Sequence, residues 1–123
     1  MTAPSIPPIT VLVVEDAALV RMNIVLELED AGYRVCEAAN ADIALNLIAQ
    51  ESVSVLFTDV DMPGSMNGLQ LAALVRQRLP CMPIIVTSGH IAVAAEQLPS
   101  AGVFLTKPYL TFQVVAAIKR LLG

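Results

Sequence analysis

The sequence predicts an α/β domain: a doubly wound, five-stranded parallel sheet with five helices around it. Three observations carry this. Five short runs dominated by Val, Ile and Phe recur along the chain, as expected for strands buried on both faces. Stretches with helical apolar spacing separate these runs. The two kinds of element alternate throughout, and such alternation gives a parallel sheet covered by helices on both sides.

The elements follow in order. Residues 1–9, within MTAPSIPPIT, are proline-rich and read as an extended lead-in; residues 10–123 read as one domain. TVLVVED (10–16) is the first strand, and residues 17–30 form a helix carrying Leu19, Val20, Ile24 and Leu28. YRVCEA (33–38) is the second strand. Residues 41–50 form a helix with Ile43, Leu47 and Ile48, capped by Asn40. VSVLFTD (53–59) is the third strand, followed by a helix over 67–79 with Leu71, Leu74 and Val75. PIIVTSG (83–89) is the fourth strand, and 91–98 a less regular helix ended by Pro99. GVFLTK (102–107) is the fifth strand, and 110–122 a helix with Val114, Val115, Ile118 and Leu122.

Composition narrows the function. Hydrophobic residues make up 56% of the 123 and charged residues 15%, which argues against disorder and for a core that needs no disulfide. No segment reaches the roughly 18 uncharged apolar residues of a membrane span. The longest candidate, MPIIVTSGHIAVAA, is broken by Pro83, Ser88, Gly89 and His90. The N-terminus lacks a basic region followed by an apolar one, so the expected location is cytoplasmic, without membrane insertion. The net charge is -4 and the seven Lys and Arg are scattered, which argues against direct nucleic-acid binding. Cys36 and Cys81 are far apart in apolar surroundings and are expected to be reduced core residues rather than a metal or redox pair.

In an open parallel sheet, ligands bind at the carboxyl ends of the strands, where strand order reverses. The first strand ends in Glu15 and Asp16. The third ends in Asp59, with Asp61 two residues on. The fourth ends in Thr87 and Ser88, and the fifth in Lys107, followed by Pro108. The second offers only Glu37 and Asn40. With the first and third strands adjacent, several carboxylates converge and repel one another, and a hard divalent cation relieves this. Oxygen ligands without Cys or His suit Mg2+. A lysine and a hydroxyl beside such an ion make a phosphoryl site.

Together, VVEDA, FTDVDMPGSMNG, VTSG and LTKPY, at these strand ends and in this order, resemble the receiver domain of bacterial two-component response regulators, over about residues 10 to 122. The resemblance implies a flavodoxin-like sheet of order 2-1-3-4-5. It implies a phosphoacceptor in a phosphorelay rather than an enzyme, with self-phosphorylation and slow autodephosphorylation only. Asp59 would take the phosphoryl group from a sensor histidine kinase or phosphotransfer protein. Asp16 and Asp59 would bind Mg2+ directly, with the backbone carbonyl of Asp61, and Glu15 would act through water. Lys107 would pair with phosphoryl oxygens, Thr87 would swing toward them, and Phe104 would follow that hydroxyl. The Lys107–Pro108 peptide would be cis. A homodimer or target protein would dock on the face of the last strand and last two helices, around Ile91, Val93 and Phe112; a well-buried helix there is the other reading. Asp61 reads equally as a wall of the site or a turn acid, and Phe104 as core or switch. Two departures from the family stand out: four residues instead of three between Pro63 and Gly68, which predicts a bulged loop, and a short stretch from Thr87 to Lys107.

Two rival functions fit parts of the pattern. A small Mg-dependent phosphohydrolase of haloacid dehalogenase type would use Asp59 as nucleophile and Asp61 as general acid. That family carries its aspartate pair on the first strand and needs further acids downstream, whereas nothing acidic follows Lys107. A flavodoxin-like nucleotide or flavin binder would want a Gly- or Ser/Thr-rich first loop, and VVEDAALV puts acids there.

Overall fold

The computed structural model describes residues 8–89 and 102–123. Five strands, β1 (Thr10–Val14), β2 (Arg34–Ala38), β3 (Val55–Asp59), β4 (Ile84–Ser88) and β5 (Gly102–Thr106), form one parallel sheet in the order β2-β1-β3-β4-β5. The helices among the described residues are α1 (Ala18–Asp30), α2 (Ala41–Gln50), α3 (Gly68–Arg78) and α4 (Thr111–Leu122). The fifth expected helix, 91–98, lies outside the described residues, as does most of the lead-in over 1–9. No helix among the described residues is long and apolar enough to cross a membrane.

The strands alternate their side chains between two apolar layers, because successive residues point to opposite faces. Leu12, Val14, Leu56, Ile84 and Val86 pack with Ala41 and Ala44 of α2 and Leu71, Ala72 and Val75 of α3. Val11, Val13, Val55, Phe57 and Ile85 pack with Ile24 and Leu28 of α1 and Val114, Ala117 and Ile118 of α4. β1, β3 and β4 are buried along their whole length, which explains their nearly unbroken apolar sequence. Tyr109 sets its ring edge-on to Phe57, with centroids 5.8 Å apart.

Helix starts follow local chemistry. Asn40 accepts from the Ile43 N–H at 2.9 Å, as expected of a cap. Asn67 and Gln70 close a reciprocal box at the start of α3, with bonds of 2.9 and 2.8 Å. On α1 the apolar spacing does not match the buried face. Ile24 and Leu28 are buried, but Leu19 and Val20 are exposed, as are Met22 and Leu26. Cys81 also departs from expectation. It is exposed in the turn before β4, and Cys36 is only partly buried. Met62 and Met82 pack in the core.

The loop between Asp59 and α3 is folded back tightly. The Gly68 N–H donates to the Val60 carbonyl at 3.0 Å, and the Ser65 hydroxyl donates to Asp42 at 3.0 Å at the start of α2. Gly64 turns the chain at φ 110°. At Gly68 the backbone meets the end of β3 so closely that a Cβ would lie 1.9 Å from the Asp59 carbonyl oxygen and 2.9 Å from Val60 Cα. Gly68→Ala should therefore cost about 1–3 kcal/mol by forcing α3 away from β3. Urea unfolding of the two proteins, compared at equal slope, checks this.

Candidate functional site

The sheet order places one rim of carboxyl ends together. β1 lies beside β3 with Val14 opposite Thr58, so the chain leaving β1 emerges next to Asp59. The Glu15 N–H still bonds to the Ala38 carbonyl at 3.0 Å, after which the chain turns toward α1. The Glu15 carboxylate supports that turn by accepting from the Ala17 N–H at 3.1 Å. Glu15 and Asp16 thus sit in the loop just beyond the strand rather than within it. One ligand oxygen from each of Glu15, Asp16 and Asp59 falls within 4.8 Å of the other two. Glu15 and Asp59 are buried, and Asp16 is exposed.

Lys107 reaches this cluster from across β4. Its N–H bonds to the Ser88 carbonyl at 2.9 Å, which extends the β4–β5 register by one residue. Its Nζ lies 3.1 Å from Asp59 Oδ1 and 3.3 Å from Glu15 Oε1. The following Lys107–Pro108 peptide is cis. Thr87 is buried directly opposite Asp59 in the β3–β4 pairing, and its carbonyl accepts from the Val60 N–H at 2.8 Å. Ser88 donates its hydroxyl to Asp61 Oδ2 at 3.2 Å, which ties the loop after β3 to the end of β4. Phe104 is half-buried opposite Val86 and packs against the α2–α3 layer.

The site carries more negative charge than it offsets. Burial pushes the Asp59 carboxyl above the usual range; Lys107 pulls it back, while Asp61 and Asp16 add to the rise. Burial likewise raises Glu15, the Ala17 amide opposes this, and Asp16 and Asp59 reinforce it. Burial would lower Lys107, but the negative charges of Asp59 and Glu15 beside it overcome this and hold the ammonium above its ordinary value.

The donor set also tests the expected metal. Asp59 Oδ1 is buried and accepts no aligned hydrogen bond, although the Lys107 ammonium is close by. A buried carboxylate oxygen with unused acceptor capacity, grouped with two more carboxylates and no His or Cys, suits a hard dication. The residues present fit such an ion. A cleft of about 460 Å³ opens beside Lys107, between Val20, Asn23, Pro108 and Tyr109. A cavity of about 550 Å³ lies between Ile48, Val53, Leu79 and Met82 and includes none of Glu15, Asp16, Asp59 or Asp61.

One pair of site neighbours had no local signal. Arg21 donates to the Glu15 carbonyl at 2.7 Å and to Glu37 at 3.0 Å, and this ties α1 and β2 to the acid loop. Glu37 stands at the end of the second strand, but its partner is 16 residues away in sequence.

Because the raised Asp59 pKa means that its ionised form is disfavoured on folding, metal-free Asp59→Asn should melt above the parent protein at pH 7. The penalty on the parent grows as pH rises from the unfolded value of 3.8 through the raised folded one, so the gap should close toward acid pH. Thermal melts of both proteins in chelator across this range check the sign.

Residues 11–119 match the family described as response regulator receiver domain. An NtrX-like response regulator of Rickettsia bellii (strain RML369-C) is 34% identical over 116 residues, 91% of this chain and 24% of that protein. The chain spans about a quarter of the length of the curated relatives it matches. Among solved structures, a response regulator receiver protein from Sinorhizobium medicae WSM419 superposes with a TM-score of 0.88 at 28% identity, covering 96% of this chain and 97% of that one. The response regulator TrrA of Thermotoga maritima, solved in complex with Mg(2+)-BeF, gives 0.82 at 25% identity, covering 92% and 98%. A family match that runs from residue 11 to residue 119, over nearly the whole sheet and its helices, places it: the chain belongs to the response regulator receiver domain family.

Proposed function

We propose that Asp59 is the phosphoacceptor of this receiver, taking a phosphoryl group from a phosphohistidine on a sensor histidine kinase or phosphotransfer protein. A carboxylate oxygen of Asp59 attacks phosphorus in line. The P–N bond breaks, its electron pair returns to the imidazole, and the imidazole takes up a proton. The acyl phosphate left on Asp59 is later hydrolysed by water to carboxylate and inorganic phosphate. The chemistry is self-phosphorylation and slow autodephosphorylation, which makes a signalling switch rather than a turnover enzyme.

Asp16, Asp59 and the Asp61 backbone carbonyl would hold Mg2+, with Glu15 acting through water; bound there, the ion offsets charge on the carboxylates and on the incoming phosphoryl oxygens. Lys107 pairs with those oxygens. Thr87 donates its hydroxyl to them, and Phe104 follows as Thr87 moves, which biases a two-state arrangement of β4 and β5. Residues 10–123 form the receiver unit. A homodimer or target protein docks on the side of β5 and α4, where Phe112 and Leu110 are exposed; Ile91 and Val93, expected on the same surface, lie outside the described residues.

The observation that carries this reading is the Lys107 ammonium set between Asp59 and Glu15 at 3.1 and 3.3 Å, inside a cluster of oxygen ligands. The family match favours it over the phosphohydrolase. Incubation with Mg2+ and acetyl phosphate should give one phosphoryl adduct by intact mass. That adduct should be absent from Asp59→Asn, and in Lys107→Ala it should form at least 10-fold more slowly, in line with the loss of an electrostatic donor. An unmodified parent protein, or an adduct that survives in Asp59→Asn, overturns the assignment.

A further inference from the structure

Glu15 and Asp16 share a peptide bond, and its planarity means that whatever holds the Glu15 carbonyl also fixes the direction in which Asp16 leaves. That carbonyl accepts from Arg21 Nη1 at 2.7 Å. The same guanidinium donates through Nε to Glu37 Oε1 at 3.0 Å. Arg21 is anchored in turn by its own N–H, which bonds to the Ala17 carbonyl at 2.9 Å. The Glu15–Asp16–Ala17 loop is therefore enclosed by the first turn of α1 on one side and by β2 on the other.

We infer that Arg21, aimed by Glu37, is a positioning residue that fixes the Glu15–Asp16 peptide and so sets the affinity of the acid cluster for Mg2+. This rests on the magnesium reading of the site above. The guanidinium suits the task because its rigid fork makes two bonds at fixed angles, where an ammonium would act as a point charge. The Arg21–Glu37 pair is a poor stabiliser in its own right. The Glu37 side chain is 53% exposed and the Arg21 side chain 18%, so water screens the pair from the Glu37 side and its charge adds little to stability. What the pair supplies is direction: with Glu37 in place, Arg21 Nη1 points at one carbonyl oxygen. Partners that orient metal ligands typically change metal affinity by about 10-fold or more when removed.

Isothermal titration of Mg2+ into the whole chain tests this, together with metal-free thermal melts. Arg21→Ala should weaken Mg2+ binding about 10-fold, with the metal-free melt showing that the variant is folded at the titration temperature. Arg21→Lys, which keeps one donor for the carbonyl, should recover part of the loss. Glu37→Ala should weaken binding by a smaller factor, and the double variant should be no weaker than Arg21→Ala alone, because Glu37 acts through Arg21. If the parent protein binds Mg2+ and Arg21→Ala binds it within about twofold as well, the inference fails and the magnesium reading stands. Losses that multiply in the double variant also overturn it, since Glu37 would then act independently. A parent protein that does not bind Mg2+ removes the underlying reading instead. Should Arg21→Ala fail to fold, the Arg21→Lys and Glu37→Ala titrations decide by the same criterion, with unchanged affinity in both counting against the inference.

Discussion

One ammonium group held against two buried carboxylates governs this end of the molecule. Lys107 comes from the edge strand of the sheet, Glu15 from the loop after β1, and Asp59 from the centre, and the three meet within hydrogen-bonding distance. Without a cation there, Asp59 and Glu15 would face each other with Asp16 and Asp61 nearby, in surroundings that already disfavour charge. The lysine lowers that repulsion without abolishing it. What remains is a site stable enough to fold and still electrostatically unsatisfied, and that residue of unfavourable charge is available to be relieved by a dication.

The parallel sheet makes this meeting unavoidable. In a doubly wound fold every strand runs the same way, so the residues that end the strands collect on one rim. That is why Glu15, Asp16, Asp59, Thr87 and Lys107 were legible as a set. Their positions at the ends of apolar runs carry the information, and no side-chain detail is needed. The fold was legible for a related reason. β1, β3 and β4 are buried on both faces, so their sequences are nearly continuous hydrophobic runs bounded by turns.

What the sequence did not disclose depends on contacts between distant segments. Helical spacing in α1 marks Leu19 and Val20 as well as Ile24 and Leu28, but spacing alone does not say which arc of a helix faces the sheet, and the first two point outward. The surroundings of Cys81, Pro80 and Met82, look apolar, yet Met82 takes the buried position and leaves the cysteine in the exposed turn. The link from Arg21 to Glu37 and the Glu15 carbonyl exists only once β2 lies against β1. Nothing in the local pattern around either residue marks it.

The near-contact of Gly68 with the Asp59 carbonyl constrains how a signal can leave the site. The first turn of α3 is wedged against the backbone of Asp59 itself, with no space for a side chain between them. That junction behaves as a fixed pivot, so α3 cannot travel independently of the strand it rests on. On the opposite flank, Thr87, Ser88 and Lys107 meet the rim through backbone pairing, a hydroxyl bond to Asp61 and the lysine ion pairs. The start of α3 and the end of β3 thus move as one body, so a shift in the Asp59 backbone carries the first turn of α3 with it.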